Sequence, residues 1–194
     1  MRRRELIVLT GLVLVGCASA LPPEPRLRLP ELKLAPASLG VSVSLAQRLT
    51  VKQLPREAGV RAPTAERSLE VQLEVDASEL RLAAFALSQR VLMLRWDGHD
   101  LQVQRHLMLP AEVDAARVLR DIQLVYWPLE AVQAALPSGW GVSDAEQRRT
   151  LSFEGEPQVV VDYAGLPRWQ GRAELDNRLE GYRLSIESNV LSGS

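Results

Sequence analysis

The strictest constraint on this chain lies in residues 69–76, where Leu69, Val71, Leu73 and Val75 alternate with Glu70, Gln72, Glu74 and Asp76. A period of two puts the aliphatic side chains on one face and the polar ones on the other, which a helix of 3.6 residues per turn cannot do. The segment is predicted to be a strand with one dry face and one wet face. The same alternation predicts strands at Val41, Val43 and Leu45, continued by Leu49 and Val51, at Leu80, Leu82, Ala84 and Ala86, and at Leu92, Leu94 and Trp96. Asp97-Gly98 marks a tight turn into a return strand at Leu101 and Val103. A polar link containing Pro and Gly separates the first two strands.

The period changes at Pro110. Val118, Ile122 and Val125, with Leu119 and Tyr126 beside them, make an apolar stripe on a helix predicted over residues 111–126. Pro128 opens a second short helix, with Leu129, Val132 and Leu136 at helical spacing, and Pro137-Ser138-Gly139 ends it. Strand character returns at 149–153, at Val159, Val161 and Tyr163, at Trp169, Gly171, Ala173 and Leu175, and at Tyr182, Leu184 and Ile186. Short turns between like neighbours predict an antiparallel, mainly β fold with one helical insertion, not the regular strand–helix crossovers of a parallel α/β sheet.

The N-terminus carries a different message. Arg2, Arg3 and Arg4 precede an apolar run from Leu6 to Val15, too short for a transmembrane helix of about 20 apolar residues. The run ends in Leu14-Val15-Gly16-Cys17, which resembles the lipobox of bacterial lipoproteins. That resemblance implies a signal peptide at 1–16, with diacylglycerol and an N-acyl chain carried by Cys17 after cleavage. Three arginines and one glutamate would leave with the signal, moving the formal net charge from −1 to about −3. One acyl chain anchors weakly, whereas several hold durably. By resemblance to the sorting rules of bacterial lipoproteins, Ala18 in place of an aspartate implies the outer membrane's periplasmic face. Residues 17–36, with Pro22, Pro23, Pro25, Pro30 and Pro36, are expected to form a mostly exposed tether. Leu27, Leu29, Leu32 and Leu34 alternate within it, so part of it is able to lie along the domain. Residues 37–194 are expected to form one domain.

Charge and residue inventory exclude much else. With 23 basic and 24 acidic side chains, the chain lacks the basic surface of a general nucleic-acid binder. One cysteine excludes an internal disulfide framework and a multi-cysteine metal site. His99 and His106 lack metal-ligand spacing, and no nucleophile elbow or phosphate-binding glycine loop is present. Asp121 is expected to pair with Arg117 or Arg120 rather than to move protons. No catalytic residue, metal site or separate cofactor is expected.

The stretch from Leu119 to Leu129, the Arg149-Thr150-Leu151 region, Val159 to Tyr163, and Asn177 to Leu184 together resemble an uncharacterised family of bacterial lipoproteins, domain of unknown function 3261. The resemblance implies a place in gene clusters for aryl-polyene-type or related lipids. It also implies a fold similar to the periplasmic lipoprotein carrier and its outer-membrane receptor: a curved antiparallel half-barrel covered by short helices, whose concave face receives acyl chains. Leu94, Trp96, Val161, Tyr163, Trp169 and Tyr182 are then expected on the cavity wall. Ile122, Tyr126, Trp127, Leu136 and Trp140 are expected at its lid or mouth. A filled core uses the same side chains for packing alone, and the pattern leaves both readings open. The expected function is binding or passing on an acylated lipid or lipoprotein. The other reading is a structural or interaction subunit of an envelope assembly, without cargo and with protein partners.

Overall fold

In the computed structural model, the described residues are 27–54, 66–109 and 113–191. The alternating segment is the strand β2 (Glu66–Val75), paired antiparallel with β1 (Val43–Gln53) and β3 (Leu80–Ala86). Hairpins continue outward through β4 (Gln89–Trp96) to β5 (Leu101–Arg105). Two helices follow, α1 (Ala115–Tyr126) and α2 (Leu129–Ala135). A second meander then runs through β6 (Trp140–Ala145), β7 (Arg148–Phe153), β8 (Glu156–Tyr163), β9 (Gly171–Asn177) and β10 (Tyr182–Val190). Pairing of β10 with β1 welds the meanders into one sheet, in the order β5-β4-β3-β2-β1-β10-β9-β8-β7-β6.

This order overturns the half-barrel. The sheet is not closed or curled; β5 and β6 remain its two edges, at opposite ends of the order. The helices lie between β5 and β6 in sequence, so their connection has to traverse the sheet from edge to edge. It does so over the inner face, and the described segment before β1 packs there too. Leu29, Leu32, Leu34 and Leu39 are buried in the same core as Leu45, Leu73, Leu82, Leu94, Leu175 and Ile186. The second layer that a trough would leave to an acyl chain is supplied by the protein itself.

Register explains which side chains meet. Leu45 lies opposite Leu73, Leu73 opposite Leu82, and Leu82 opposite Leu94, one apolar row across four strands. The other face is a ladder of cross-strand ion pairs, including Arg48–Glu70, Arg81–Glu74, Arg148–Asp162 and Arg183–Asp176. Such exposed pairs contribute about 0–1 kcal/mol each, so burial of the inner face is what stabilises the sheet.

Three local departures from the sequence reading have physical causes. Residues 29–35 do not stand off: Leu29, Leu32 and Leu34 face the core while Leu27 stays exposed, and the Leu34 carbonyl accepts bonds from buried side chains. Trp140, expected at a cavity lid or mouth, instead starts the edge strand β6; its ring packs on Phe153 at 5.2 Å. Gly139 makes this possible, because it sits at φ 84° and a Cβ there would lie 2.8 Å from the Phe153 ring. The β6 edge is partly covered, since the Val142 N–H donates to Gln133 Oε1 from α2 at 3.1 Å. Trp169 lies in the loop before β9, where the sequence pattern had placed it in the strand.

Candidate functional site

Helix α1 is the centre of the site. Asp114 caps its N-terminus, accepting from the Ala116 N–H at 2.9 Å. The apolar stripe predicts one buried face, yet every residue from Leu119 to Tyr126 is buried. The helix is enclosed by the sheet below and by the segment 27–39 beside it. Arg120, Asp121 and Gln123 therefore lie on sides that a surface helix would give to water, and each has to find partners within the protein.

Asp121 and Arg120 find theirs on the turn joining β9 to β10. The Arg120 guanidinium donates to Asp121 Oδ1 at 3.0 and 2.9 Å and to both Glu180 oxygens at 2.8 and 2.9 Å. The Tyr182 hydroxyl donates to Asp121 Oδ2. Glu180 also receives Arg117, at 3.3 Å, and Asn177, at 3.2 Å. Burial pushes the Asp121 carboxyl above its ordinary range, against the opposing pull of Arg120. Burial would likewise raise Glu180, but the bonds and charge of Arg120, together with Arg117 and Asn177, hold that carboxyl low. Burial raises the Tyr182 hydroxyl, assisted by the neighbouring Asp121 charge. Two cations and two carboxylates share this cluster. It is saturated, and it locks the helix to the sheet.

The C-terminal end of α1 is fixed differently. Arg149 projects from β7 into the core with no exposed side-chain surface. It donates to the carbonyls of Leu124 and Trp127 at 2.8 and 2.7 Å, the acceptors that a helix end leaves open. Its remaining donors form a two-pronged pair with Asp144 at 2.8 and 2.9 Å, and Arg168 reaches the same carboxylate at 2.8 Å. Burial would raise Asp144, but the two guanidinium groups bring it below its usual value. The Tyr163 hydroxyl, pushed up to about 12 by burial, donates to the Val125 carbonyl at 2.7 Å.

Further bonds fasten the centre. Gln47 of β1 donates to the Tyr126 hydroxyl at 2.7 Å and to Ser188 Oγ at 2.8 Å. The Leu34 carbonyl accepts from Trp96 Nε1 at 2.8 Å and Gln123 Nε2 at 3.0 Å. Trp127 Nε1 donates to the Ala35 carbonyl and to Ser38 Oγ at 3.2 and 3.0 Å.

The residues expected to line a cavity or its lid come together, but as one cluster of touching side chains. Leu94, Trp96, Ile122, Tyr126, Trp127, Val161, Tyr163 and Tyr182 are buried, while Leu136, Trp140 and Trp169 are partly buried against them. Two of the grooves that open to solvent on the described surface bear on this. One, of about 320 Å³, lies over the Arg120–Glu180 cluster and is lined by Arg28, Leu29, Glu31, Asp114, Ala116 and Arg117 as well. The other, of about 410 Å³, borders Arg48, Glu70, Phe85 and Glu187. None of the eleven expected residues lines either groove, and both mouths are predominantly polar. Cys17 and the signal segment lie outside the described residues. Among the described residues, no group of three His, Cys, Asp or Glu side chains is placed to hold a metal, and no helix is long and apolar enough to cross a membrane.

Sequence reading missed Gln47, Gln123, Arg149, Glu180 and Ser188 as structural anchors. A signal for the strand residues was present: Gln47 sits between Leu45 and Leu49, and Arg149 precedes Leu151 and Phe153, each on the apolar side of its strand. A polar side chain at such a position needs a buried partner.

A family model described as "Protein of unknown function (DUF3261)" matches residues 45–190. No curated protein matches the chain.

Proposed function

The chain belongs to the DUF3261 family, and from that premise we propose that it is an outer-membrane lipoprotein, held through acylated Cys17, whose body is a non-enzymatic interaction module of an envelope assembly. The Leu14-Val15-Gly16-Cys17 sequence supports the anchor. The resemblance to lipoproteins of aryl-polyene-type clusters supports envelope lipid biogenesis as the setting.

One observation carries this reading against that of an acyl-chain carrier. The inner sheet face is covered by α1, α2 and residues 27–39, and hydrogen bonds in the middle and at the C-terminal end of α1 fix the cover. A helix used as a lid would have to break the Arg120, Tyr126 and Arg149 clusters to admit a chain. Separating such a pair while one charge stays buried without its partner costs roughly 3–5 kcal/mol. Burying ten methylenes contributes roughly 8 kcal/mol before ordering costs, so cargo entry would spend most of its gain on opening the protein.

The test combines fractionation, intact mass and site-specific photocrosslinking in the native bacterium. The expected result is outer-membrane recovery, a mass increase at Cys17 equal to diacylglycerol plus one acyl chain, and saturable crosslinks to envelope proteins. A processed chain with a free Cys17 thiol would overturn the anchor. Absence of protein crosslinks, with a stoichiometric acylated species bound, would overturn the interaction module.

A further inference from the structure

We infer that the end of the sheet bearing the Leu87-Ser88 turn and the 106–109 turn docks on an anionic lipid surface. The inference rests on the Cys17 anchor and adds how the body sits against the membrane.

The two turns are neighbours. Leu87-Ser88 joins β3 to β4, and the chain leaving β5 is held beside the start of β4 by a bond from the His106 N–H to the Val91 carbonyl at 2.9 Å. Leu109 is buried in the core, but the three apolar side chains at the tips have no packing role: Leu87 is 89% exposed, Leu107 101% and Met108 56%. Leu87 also occupies φ 49° and Ser88 φ 62°, a left-handed turn for which Gly and Asn are the favoured residues. A leucine held there in water contributes nothing to the core and adds backbone strain, which calls for a use outside the fold. The second turn is firmly presented. The Leu109 N–H donates to the His106 carbonyl at 3.0 Å, and the Met108 N–H donates to His106 Nδ1 at 3.2 Å.

Charge selects the kind of surface. Residues 85–90 and 104–109 contain Arg90 and Arg105 and no carboxylate, and Arg105 is engaged with the Val113 and Leu109 carbonyls at 2.6 and 3.4 Å. Aliphatic tips beside Arg90 match the boundary between acyl chains and anionic headgroups. On the other meander at this end, Glu180 of the β9–β10 turn is already paired with Arg117 and Arg120, and Glu154, on the β7–β8 turn, lies at least five strands from β3 in the sheet order. The opposite end exposes Val41, Leu166 and Leu191, but its turns carry Asp76, Asp97, Asp100 and Glu146, which an anionic surface repels.

The path of the chain agrees. Arg28 and Leu29 lie beside Glu180, on the β9–β10 turn at the same end as Leu87. Pro36 lies against Gly98 at the opposite end. The segment leading back to Cys17 therefore leaves the described domain on the side of the exposed leucines. The ten residues from Leu27 back to Cys17 reach at most about 36 Å. The anchor thus keeps this end near the bilayer.

The test uses the processed full chain, with spin labels on Leu87→Cys, Leu107→Cys or, as the control at the opposite end, Leu166→Cys. It is reconstituted in vesicles of phosphatidylethanolamine with phosphatidylglycerol, and intact mass is recorded on the same sample. Labels at 87 and 107 are expected to show a several-fold higher ratio of oxygen to water-soluble nickel-chelate collisions than the label at 166. Replacing phosphatidylglycerol by phosphatidylcholine is expected to lower that ratio. Water-like ratios at 87 and 107 on a chain whose mass shows acylated Cys17 overturn the docking and leave the anchor intact. An unmodified Cys17 overturns the anchor and this inference together. Shielding of 87 and 107 only after envelope proteins are added overturns the lipid assignment in favour of a protein partner.

Discussion

At the scale of single residues, two arginines one position apart are expected to behave oppositely. Arg149 is enclosed and serves Leu124, Trp127 and Asp144, while Arg148 pairs with Asp162 on the wet face at 61% side-chain exposure. Arg149→Leu should destabilise the protein by about 3–5 kcal/mol, because Asp144 and two helix carbonyls lose their buried donor. Arg148→Leu should cost less than about 1 kcal/mol. Urea unfolding at pH 7 checks both. The parity of Arg149 within its strand was legible in the sequence; its acceptors were not, since Leu124 and Trp127 come from an element 22–25 positions away. The carboxylates add a pH signature. Glu180 and Asp144 are held below their ordinary values of 4.5 and 3.8, so the folded state binds their protons less tightly than the unfolded chain. Their stabilisation is complete above about pH 5 and drains as the solution is acidified through the folded values. Asp121 has the opposite sign: burial raises it, so its contribution falls as pH rises through its folded value. Glu180→Gln should flatten the acid limb of a stability-against-pH curve measured by thermal unfolding. An unchanged slope would show that Glu180 is not held low.

At the scale of elements, the periodicities placed the β2–β5 strands, β7, β8, β10 and both helices close to where they lie. They failed where burial came from a neighbour in space. The apolar stripe of α1 marked the side facing the sheet, but the segment 27–39 closes the other side, and prolines in that segment read as exposed tether. Its leucines from Leu29 onward are packed: Leu32 is only 2% exposed. Leu32→Ala should therefore cost about 2–5 kcal/mol, as in other large-to-small core changes. A change below about 0.5 kcal/mol would place the segment off the core. The two helices should also differ in how they open. Eight consecutive α1 residues are buried, whereas α2 buries Val132 alone and has no side-chain cap. Amide exchange is expected to be slowest at Ile122 to Tyr126, requiring global unfolding, and markedly faster across Ala131 to Ala135.

At the scale of the whole molecule, alternation specified which side of each strand is dry and left open what covers it. The half-barrel expectation came from family resemblance, and the strand order replaces it with an open sheet whose helical connection has to cross from the β5 edge to the β6 edge. That crossing, together with the segment before β1, occupies the face an acyl chain would need. The central claim is thus one of occupancy, and native mass spectrometry of the membrane-extracted protein tests it most directly. The expected spectrum contains the processed chain with its Cys17 acyl groups and no further bound lipid at stoichiometric level. A second, noncovalent acylated species retained one-to-one, and lost when the chain is denatured, would contradict it.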